Sequence, residues 1–163
     1  MNIKYTKGDA TMPLASGPKV ILHCCNDEGA WGAGFVLALS KRWKEPEEQY
    51  LRWFTGALPI DGARISGPFG LGQIQTVRVE PDIGVCNLIG QHGTGPGVRP
   101  PIRYDAVYEG LDLLAKLGMN VENLSIHCPR FGSGLAGGNW NIIEQLIFIT
   151  LIKADIPITV YDL

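Results

Sequence analysis

The hydrophobic positions of this sequence alternate between two periods, one typical of buried strands and one typical of amphipathic helices. The run from Val20 to Cys25 is apolar apart from His23, which is typical of a strand covered on both faces. From Phe35 the pattern changes, because Phe35, Leu39 and Trp43 recur at four-residue spacing. We therefore predict a strand followed directly by a helix in this part of the chain.

The same two periods predict the other elements. Strands are predicted over Ile3 to Thr6, Gln73 to Val79, Val85 to Ile89, Leu124 to Cys128 and Ile156 to Tyr161. Helices are predicted over Pro46 to Phe54, Tyr104 to Gly118 and Ile142 to Ile152. Residues 56–72 are rich in glycine and proline and are expected to be irregular, and Gln91 to Pro101 is expected to be a flexible loop open to ligands. Strands alternate with helices, so the fold class is predicted to be α/β, with a mixed sheet between helical layers.

Composition sets the broad class. The chain has 163 residues, of which 45% are hydrophobic and 18% charged, and this balance fits one domain over residues 1–163. A net charge of −2 and a pI near 5.9 argue against nonspecific nucleic-acid binding, which needs a basic face. The longest apolar run is interrupted by Glu144 and Gln145, so no membrane span is predicted. Met1 to Tyr5 does not resemble a signal peptide, and we expect a cytoplasmic monomer.

The four cysteines lack the CxxC spacing of metal sites. They lie on three predicted buried strands, so free thiols are expected, as in a reducing compartment. No compact cluster of His, Cys and Asp occurs, and no metal or cofactor is predicted.

Two glycine-rich stretches carry the candidate chemistry. One, Phe131 to Trp140, lies between a predicted strand and a predicted helix, and the other, Gly29 to Gly34, follows the strand that ends at Cys25. A strand, a glycine turn and a helix start expose free N–H groups, which carry partial positive charge. Glycine also lets a ligand approach the backbone, because no Cβ stands in the way. Two such loops predict a bound molecule with at least one phosphate group.

Several familiar nucleotide and hydrolase patterns are absent. Neither loop carries the lysine of the Walker pattern GxxxxGK[ST]. The dinucleotide pattern GxGxxG fails because Gly34 is followed by Phe35, Val36 and Leu37, which argues against a hydride-transfer enzyme. The GxSxG nucleophile elbow of serine hydrolases is also missing around Ser133.

The remaining motifs occur in the order of a known family. They are Lys7-Gly8-Asp9, His23-Cys24-Cys25-Asn26, Gly29-Ala30-Trp31-Gly32-Ala33-Gly34, Pro129-Arg130-Phe131-Gly132-Ser133-Gly134-Leu135 and Ile158-Thr159-Val160-Tyr161-Asp162-Leu163. Together they span nearly the whole chain and resemble macro domains, which bind ADP-ribose in a three-layer α/β/α fold. The resemblance is greatest to the branch that includes ADP-ribose-1''-phosphate phosphatases and ADP-ribosyl-glutamate hydrolases.

The resemblance implies roles for individual residues. Asp9 would accept a hydrogen bond from the adenine amino group, with Ala10 beside it and Tyr161 or Leu163 bordering the ring. Asn26 would face the distal ribose. The residues expected around the diphosphate and distal ribose are Gly32, Ala33 and Gly34 of the first loop and Phe131, Gly132, Ser133, Gly134, Leu135 and Ala136 of the second. Trp31 would either cover the distal ribose or anchor its loop against the core.

The chain departs from the hydrolase pattern at two positions. Gln91 stands where hydrolases of this branch have a lysine, and an amide cannot form a lysyl intermediate. Ala136 stands where they have an acid. His23, assisted by Asp27, is the first candidate for acid–base chemistry, and His92 is the second. His23 also fits a buried, hydrogen-bonded structural role, and His127 is expected to be structural.

Three functions remain open from the sequence. The resemblance favours hydrolysis of ADP-ribose-1''-phosphate to ADP-ribose and phosphate. The alternatives are a non-catalytic ADP-ribose reader and a hydrolase that removes ADP-ribose from modified proteins or nucleic acid without a lysine. All three share ADP-ribose, or ADP-ribose-1''-phosphate, as the expected partner, and ADP-ribosylated macromolecules are further candidates.

Overall fold

The computed structural model describes residues 1–95 and 99–163 and contains a seven-stranded mixed sheet between two layers of helices. In chain order the strands are β1 (Lys4–Lys7), β2 (Lys19–Asn26), β3 (Ala63–Ile65), β4 (Ile74–Glu80), β5 (Ile83–Gln91), β6 (Ser125–Cys128) and β7 (Ile158–Asp162). The helices are α1 (Phe35–Arg42), α2 (Glu45–Thr55), α3 (Tyr104–Gly118) and α4 (Trp140–Ile147), and a π-helix over Phe148–Ile152 follows α4.

The order of strands across the sheet is β1-β7-β6-β2-β5-β4-β3. The first five strands in this order pair in parallel, whereas β4 pairs antiparallel with both β5 and β3. Parallel strands end on the same side of a sheet. The loops that follow β1, β2, β5, β6 and β7 therefore all emerge at one edge, which we call the carboxyl edge.

Alternate residues of β2 face different helical layers, because successive side chains of a strand point to opposite faces. Leu22 lies in the larger core, with residues of α3 and α4. Ile21 packs in a core with Leu39 of α1, and Cys25 packs in one with Tyr50 of α2. This central strand is buried on both faces, as its apolar run predicts, and the predicted three-layer α/β/α fold is confirmed.

Differences from the predicted elements are local. Residues 56–72, expected to be irregular, contain β3, whose three residues pair antiparallel with β4. An edge strand this short depends on its pairing with a distant strand, so its own sequence carries little signal. The last helical segment begins at Trp140, since the side chain of Asn139 accepts a hydrogen bond from the N–H of Asn141 at 2.9 Å.

The predicted flexible loop Gln91 to Pro101 includes the last residue of a strand and a short stretch that the structure does not describe. Gln91 belongs to β5, and the segment that follows includes residues 96–98, which lie outside the described residues. In the rest of the chain, no helix combines the length and the hydrophobicity that a membrane crossing requires.

Candidate functional site

The carboxyl edge brings together the segments that the sequence singled out. Asp9 follows β1, Asp27 follows β2, His92 follows β5, and the second glycine-rich loop follows β6. Leu163 follows β7 at the same edge. In α/β sheets, ligands bind in the crevice beyond the carboxyl ends of the strands, so a binding site is expected at this edge.

Asn26 shapes the first glycine-rich loop from its base. Its side-chain oxygen accepts hydrogen bonds from the N–H groups of Glu28 at 2.9 Å and Ala30 at 3.1 Å, and its amide nitrogen donates to the Ala30 carbonyl at 2.7 Å. The hydroxyl of Tyr50 donates to the Asn26 carbonyl at 2.7 Å. Asn26 is buried, and its amide is occupied by the loop. The predicted contact of Asn26 with the ribose stays a prediction.

Trp31 lies against the body of the protein. Its indole N–H donates to the hydroxyl of Ser40 at 2.8 Å, and its ring centroid lies 5.3 Å from that of Tyr50 and 5.4 Å from that of His23. These contacts favour the anchoring role among the two roles considered for Trp31. With Trp31 held in this way, the loop passes directly into the N-terminus of α1.

The backbone that follows Trp31 is open. Gly32, Ala33 and Gly34 are exposed, and within the described residues their N–H groups have no hydrogen-bond acceptor. A Cβ at Gly32 would meet no atom within 4 Å. These unpaired donors, together with the start of α1, present partial positive charge to the space beyond the carboxyl edge of the sheet.

The second loop closes on itself through its glycines. The N–H of Gly138 donates to the carbonyl of Gly132 at 2.8 Å, and a Cβ on Gly138 would stand only 2.3 Å from that oxygen. Phe131 is buried and packs edge-on against Trp140, with ring centroids 5.7 Å apart. The hydroxyl of Ser133 donates to the Arg130 carbonyl at 2.8 Å. The loop conformation is therefore set by contacts on its inner side.

The outer side of the second loop offers a row of donors. Across the part of the chain that is described, the N–H groups of Ser133, Gly134, Leu135 and Ala136 have no acceptor. A Cβ at Gly134 would meet nothing within 4 Å, so the space in front of it is open. The methyl group of Ala136 points the other way, into the core. Only the backbone of Ala136 is thus available for the ligand contact predicted for it.

The two loops approach each other at the carboxyl edge, and we call the space in front of their exposed N–H groups the groove. Leu135 is 74% exposed, and its Cδ1 lies 3.6 Å from the point where a Cβ on Gly34 would stand. A row of unpaired N–H groups lies on each loop. A chain of two phosphates, whose oxygens only accept hydrogen bonds, matches such a groove.

The residues predicted to contact adenine lie on the β1–β7 side of the carboxyl edge. One carboxylate oxygen of Asp9 accepts from both the N–H and the hydroxyl of Thr11 at 2.8 Å, whereas Oδ2 makes no hydrogen bond among the described residues. Ala10 is buried next to Asp9. Tyr161 supports the turn, since its hydroxyl accepts from the N–H of Leu14 at 3.1 Å. Leu163 is fully exposed at the same edge.

His23 lies beneath the first loop. It is 1% exposed, and its Nε2 lies 2.5 Å from the side-chain oxygen of Asn87. The amide nitrogen of Asn87 donates to the side-chain oxygen of Gln75 and to the carbonyl of Pro46. Burial lowers the pKa of His23 to about 4, although the Asn87 hydrogen bond acts in the opposite direction. The imidazole is therefore neutral near pH 7. This position favours the structural interpretation of His23, and the catalytic role predicted for it has no support from its surroundings.

Asp27 and His92 form a pair that the sequence did not indicate. Asp27 Oδ2 lies 2.7 Å from Nδ1 of His92, and Asp27 Oδ1 accepts from the N–H of Gly93 at 2.9 Å. The two residues meet because β2 and β5 are parallel neighbours and the N–H of Asp27 donates to the Gln91 carbonyl at 3.0 Å. Both residues are candidates from the sequence, but no sequence pattern indicates their contact.

Neither Gln91 nor Ala136, the two departures from the hydrolase pattern, has a side chain that could act as an acid or a base. The Gln91 amide donates to the carbonyl of Gly93 at 3.2 Å, so it helps shape the segment after β5 and carries no charge. Ala136 contributes no acid, and its side chain is buried. No group of three or more metal-binding side chains lies close together in the described ranges 1–95 and 99–163.

A wide cleft of about 760 Å³ lies at the opposite edge, around the amino-terminal ends of β2 and β5. Its lining includes Lys19 and Asp82, whose charged groups lie 2.7 Å apart and satisfy each other. The carboxyl edge instead presents unpaired donors and an exposed histidine. We therefore place the candidate site at the carboxyl edge.

Several known proteins resemble this chain in sequence or in fold. No protein-family model matches the chain. A protein of unknown function from Bacteroides thetaiotaomicron has a solved structure with 50% sequence identity and a TM-score of 0.91, covering 100% of this chain and 99% of that one. A macrodomain protein from Streptomyces coelicolor has 44% identity and a TM-score of 0.83, covering 99% of each chain.

Curated relatives are more distant or match over shorter lengths. The mouse chromodomain-helicase-DNA-binding protein 1-like is 31% identical over 98% of this chain, but this chain spans only 18% of the length of that protein. An ADP-ribose 1''-phosphate phosphatase of Saccharomyces cerevisiae is 36% identical over 50 residues, 31% of this chain and 28% of that protein. A Trypanosoma brucei macrodomain in complex with ADP-ribose shares the fold, with 14% identity and a TM-score of 0.56 over 98% of this chain and 63% of that one.

Proposed function

This chain belongs to the macrodomain family, and we propose that the groove at its carboxyl edge binds ADP-ribose or a derivative of it. One observation carries the proposal. Unpaired backbone N–H groups line both sides of the groove, from Gly32 to Gly34 and from Ser133 to Ala136. Backbone donors hold phosphate oxygens without a lysine or a metal, which fits the acidic pI of 5.9.

The rest of the nucleotide follows from this placement. The free Oδ2 of Asp9 is an acceptor for an amino group, so adenine lies toward β1 and β7, with Ala10 and Leu163 beside it. The distal ribose then lies toward the other end of the groove, near Gly34 and the segments that follow β2 and β5. This orientation brings position 1'' of the ribose toward the only end of the described groove that carries an acid–base pair.

The reaction we propose is hydrolysis of ADP-ribose-1''-phosphate to ADP-ribose and phosphate. Phosphate-ester hydrolysis by water needs a proton acceptor and donors that stabilise the phosphoryl charge, and it needs no covalent lysine intermediate. The Gln91 and Ala136 positions are compatible with such a reaction. The partial matches to yeast phosphatases named for this substrate support it.

Two measurements test the proposal. Calorimetric titration with ADP-ribose measures binding, and release of inorganic phosphate from ADP-ribose-1''-phosphate measures turnover. Both heat of binding and phosphate release are expected. Absence of binding would reject the proposed function as a whole, whereas binding without phosphate release would reject only the reaction.

A reader module is the second candidate, because neither Gln91 nor Ala136 supplies the charged group that hydrolases of this family branch have at these positions. This candidate predicts binding of ADP-ribose, free or attached to protein, with no turnover of any substrate.

Removal of ADP-ribose from modified proteins or nucleic acid, without a lysine, is the third candidate. It is favoured by the exposure of the His92 side chain, which a molecule outside the protein can reach. A gel assay on macromolecules that carry ADP-ribose on different acceptor groups distinguishes it from the other two candidates. Only this activity removes the ADP-ribose from the macromolecule.

A further inference from the structure

The histidine that faces solvent at the carboxyl edge is His92. Of the three histidines in the chain, His23 and His127 are each 1% exposed, whereas the His92 side chain is 63% exposed. His127 is held between Ser125 at 2.8 Å and Tyr161 at 2.7 Å, and His23 is held by Asn87. Only His92 is placed to exchange protons with a bound molecule.

The contact with Asp27 determines which nitrogen of His92 is reactive. An ionised carboxylate only accepts hydrogen bonds, so the proton of the neutral imidazole lies on Nδ1, which faces Asp27 Oδ2 at 2.7 Å. Nε2 then carries the lone pair and points away from Asp27. A carboxylate that fixes the imidazole tautomer in this way, and stabilises the imidazolium when it forms, is the arrangement used by histidine bases.

Asp27 is itself held in its ionised form. Partial burial raises its pKa, but the hydrogen bonds from the Gly93 N–H and from His92 outweigh burial, and the pKa is lowered overall. The Asp27 side chain is 17% exposed. The neighbouring Glu28 accepts from the hydroxyl of Thr94 at 3.3 Å, so a second contact links the same two segments.

We infer that His92 is the acid–base residue of the proposed hydrolysis and that Asp27 positions it, an inference that rests on the proposed function. Nε2 of His92 accepts a proton from a water molecule while the water oxygen bonds to phosphorus. The ester P–O bond breaks, and its electron pair stays on the ribose oxygen. The imidazolium returns the proton to that oxygen, so the products are ADP-ribose and inorganic phosphate.

The test compares His92→Gln and Asp27→Asn with a matched control, Asp112→Asn. Asp112 pairs with Lys116 on the surface of α3, at 2.9 Å, and takes no part in the site. His92→Gln is expected to lower kcat for ADP-ribose-1''-phosphate about 100-fold or more, because a positioned base contributes roughly that much. The Kd for ADP-ribose is expected to stay within about twofold, since the backbone holds the diphosphate.

Asp27→Asn is expected to lower kcat about tenfold or more and to change the pH dependence of kcat, because an amide does not stabilise the imidazolium. Asp112→Asn is expected to match the wild type. A role of Asp27 in loop structure alone would lower binding and turnover together and leave the pH profile in place.

The outcomes distinguish failure of the role proposed for His92 from failure of the proposed reaction. If the wild type releases phosphate and His92→Gln does so equally well, the inference is overturned and the proposed function stands. If the wild type binds ADP-ribose but releases no phosphate from ADP-ribose-1''-phosphate, both the reaction and the role of His92 are overturned. Retained turnover in His92→Gln with an unchanged pH profile would also count against Asp27 as a positioning residue.

Discussion

Asp27 and His92 are 65 residues apart in the chain, and their side chains meet at 2.7 Å where two parallel strands end. The contact joins the loop after β2 to the segment after β5, on the side of the groove away from Asp9. It places the one exposed histidine at the end of the groove where the distal ribose is proposed to lie. Binding and chemistry can therefore be tested separately, because different residues are responsible for each.

Replacing Gly134 with valine should strongly weaken ADP-ribose binding without unfolding the protein. A side chain at this position meets nothing within 4 Å and its backbone needs no positive φ, so the fold should tolerate it. The same side chain fills the space in front of the free N–H groups, and we expect the Kd to rise about 100-fold or more, equivalent to roughly 2.7 kcal/mol. Gly70→Val is the matched control, since Gly70 is equally free of neighbours. Equal affinity of the two variants would place the ligand elsewhere.

Asp9→Ala should remove the preference for adenine. The free Oδ2 of Asp9 is the proposed acceptor for the adenine amino group. An analogue of ADP-ribose with hypoxanthine in place of adenine has a carbonyl there, so the wild type should bind it about tenfold or more weakly. In Asp9→Ala the two ligands should bind alike, and Asp112→Ala should keep the wild-type preference. Calorimetric titration of both ligands decides between these results.

Asn26→Ala should reduce stability as well as binding. Its amide makes three hydrogen bonds to Glu28 and Ala30, and the residue is buried. Leaving these backbone groups unsatisfied should cost about 1–3 kcal/mol of the free energy of unfolding, measured by urea denaturation. If Asn26 only contacted the ribose, stability in the absence of ligand would not change, and that result would restore the sequence-based role.

Stability should fall as the pH is lowered from about 6.5 toward 4. Burial lowers the pKa of both His23 and His127 to about 4. Between these pH values the unfolded chain binds protons that the folded chain does not, so protonation favours unfolding. For His23 the loss should reach about 2–3 kcal/mol, at 1.36 kcal/mol for each unit of pKa.

Urea unfolding at pH 7 and at pH 4.5, with His23→Gln beside the wild type, measures this effect. The variant should be less stable at both pH values, because the contact with Asn87 changes, but its stability should depend less on pH. The same pH dependence in both proteins would show that His23 does not titrate as its burial implies.

Local hydrophobic patterns were sufficient to predict the strands and helices that form the core. The apolar run of β2 and the four-residue spacing of α1 predicted a strand and a helix that the structure contains, because burial of a face leaves a period in the sequence. The three residues of β3 escaped prediction, since their order comes from pairing with β4. The partner of a strand depends on the tertiary fold, and a strand of three residues is too short to show a hydrophobic period.

The same distinction applies to the site. Glycines at Gly32, Gly34 and Gly134 marked both loops, because close approach of a ligand to the backbone excludes other residues. The sequence could not tell which histidine is exposed. His23 follows four strand residues and directly precedes two cysteines of the same strand, and its burial depends on Trp31 and Phe35, which pack over it from the following loop and helix.

The sequence by itself determined the α/β/α fold, the order of its motifs and the two glycine-rich loops, since these depend on hydrophobic periods and on residues with special backbone freedom. Tertiary structure alone decided that Asn26 supports a loop, that His23 is buried, and that Asp27 meets His92. The physical reason is that periodicity is a local property, whereas exposure and side-chain pairing depend on which strands become neighbours in the sheet.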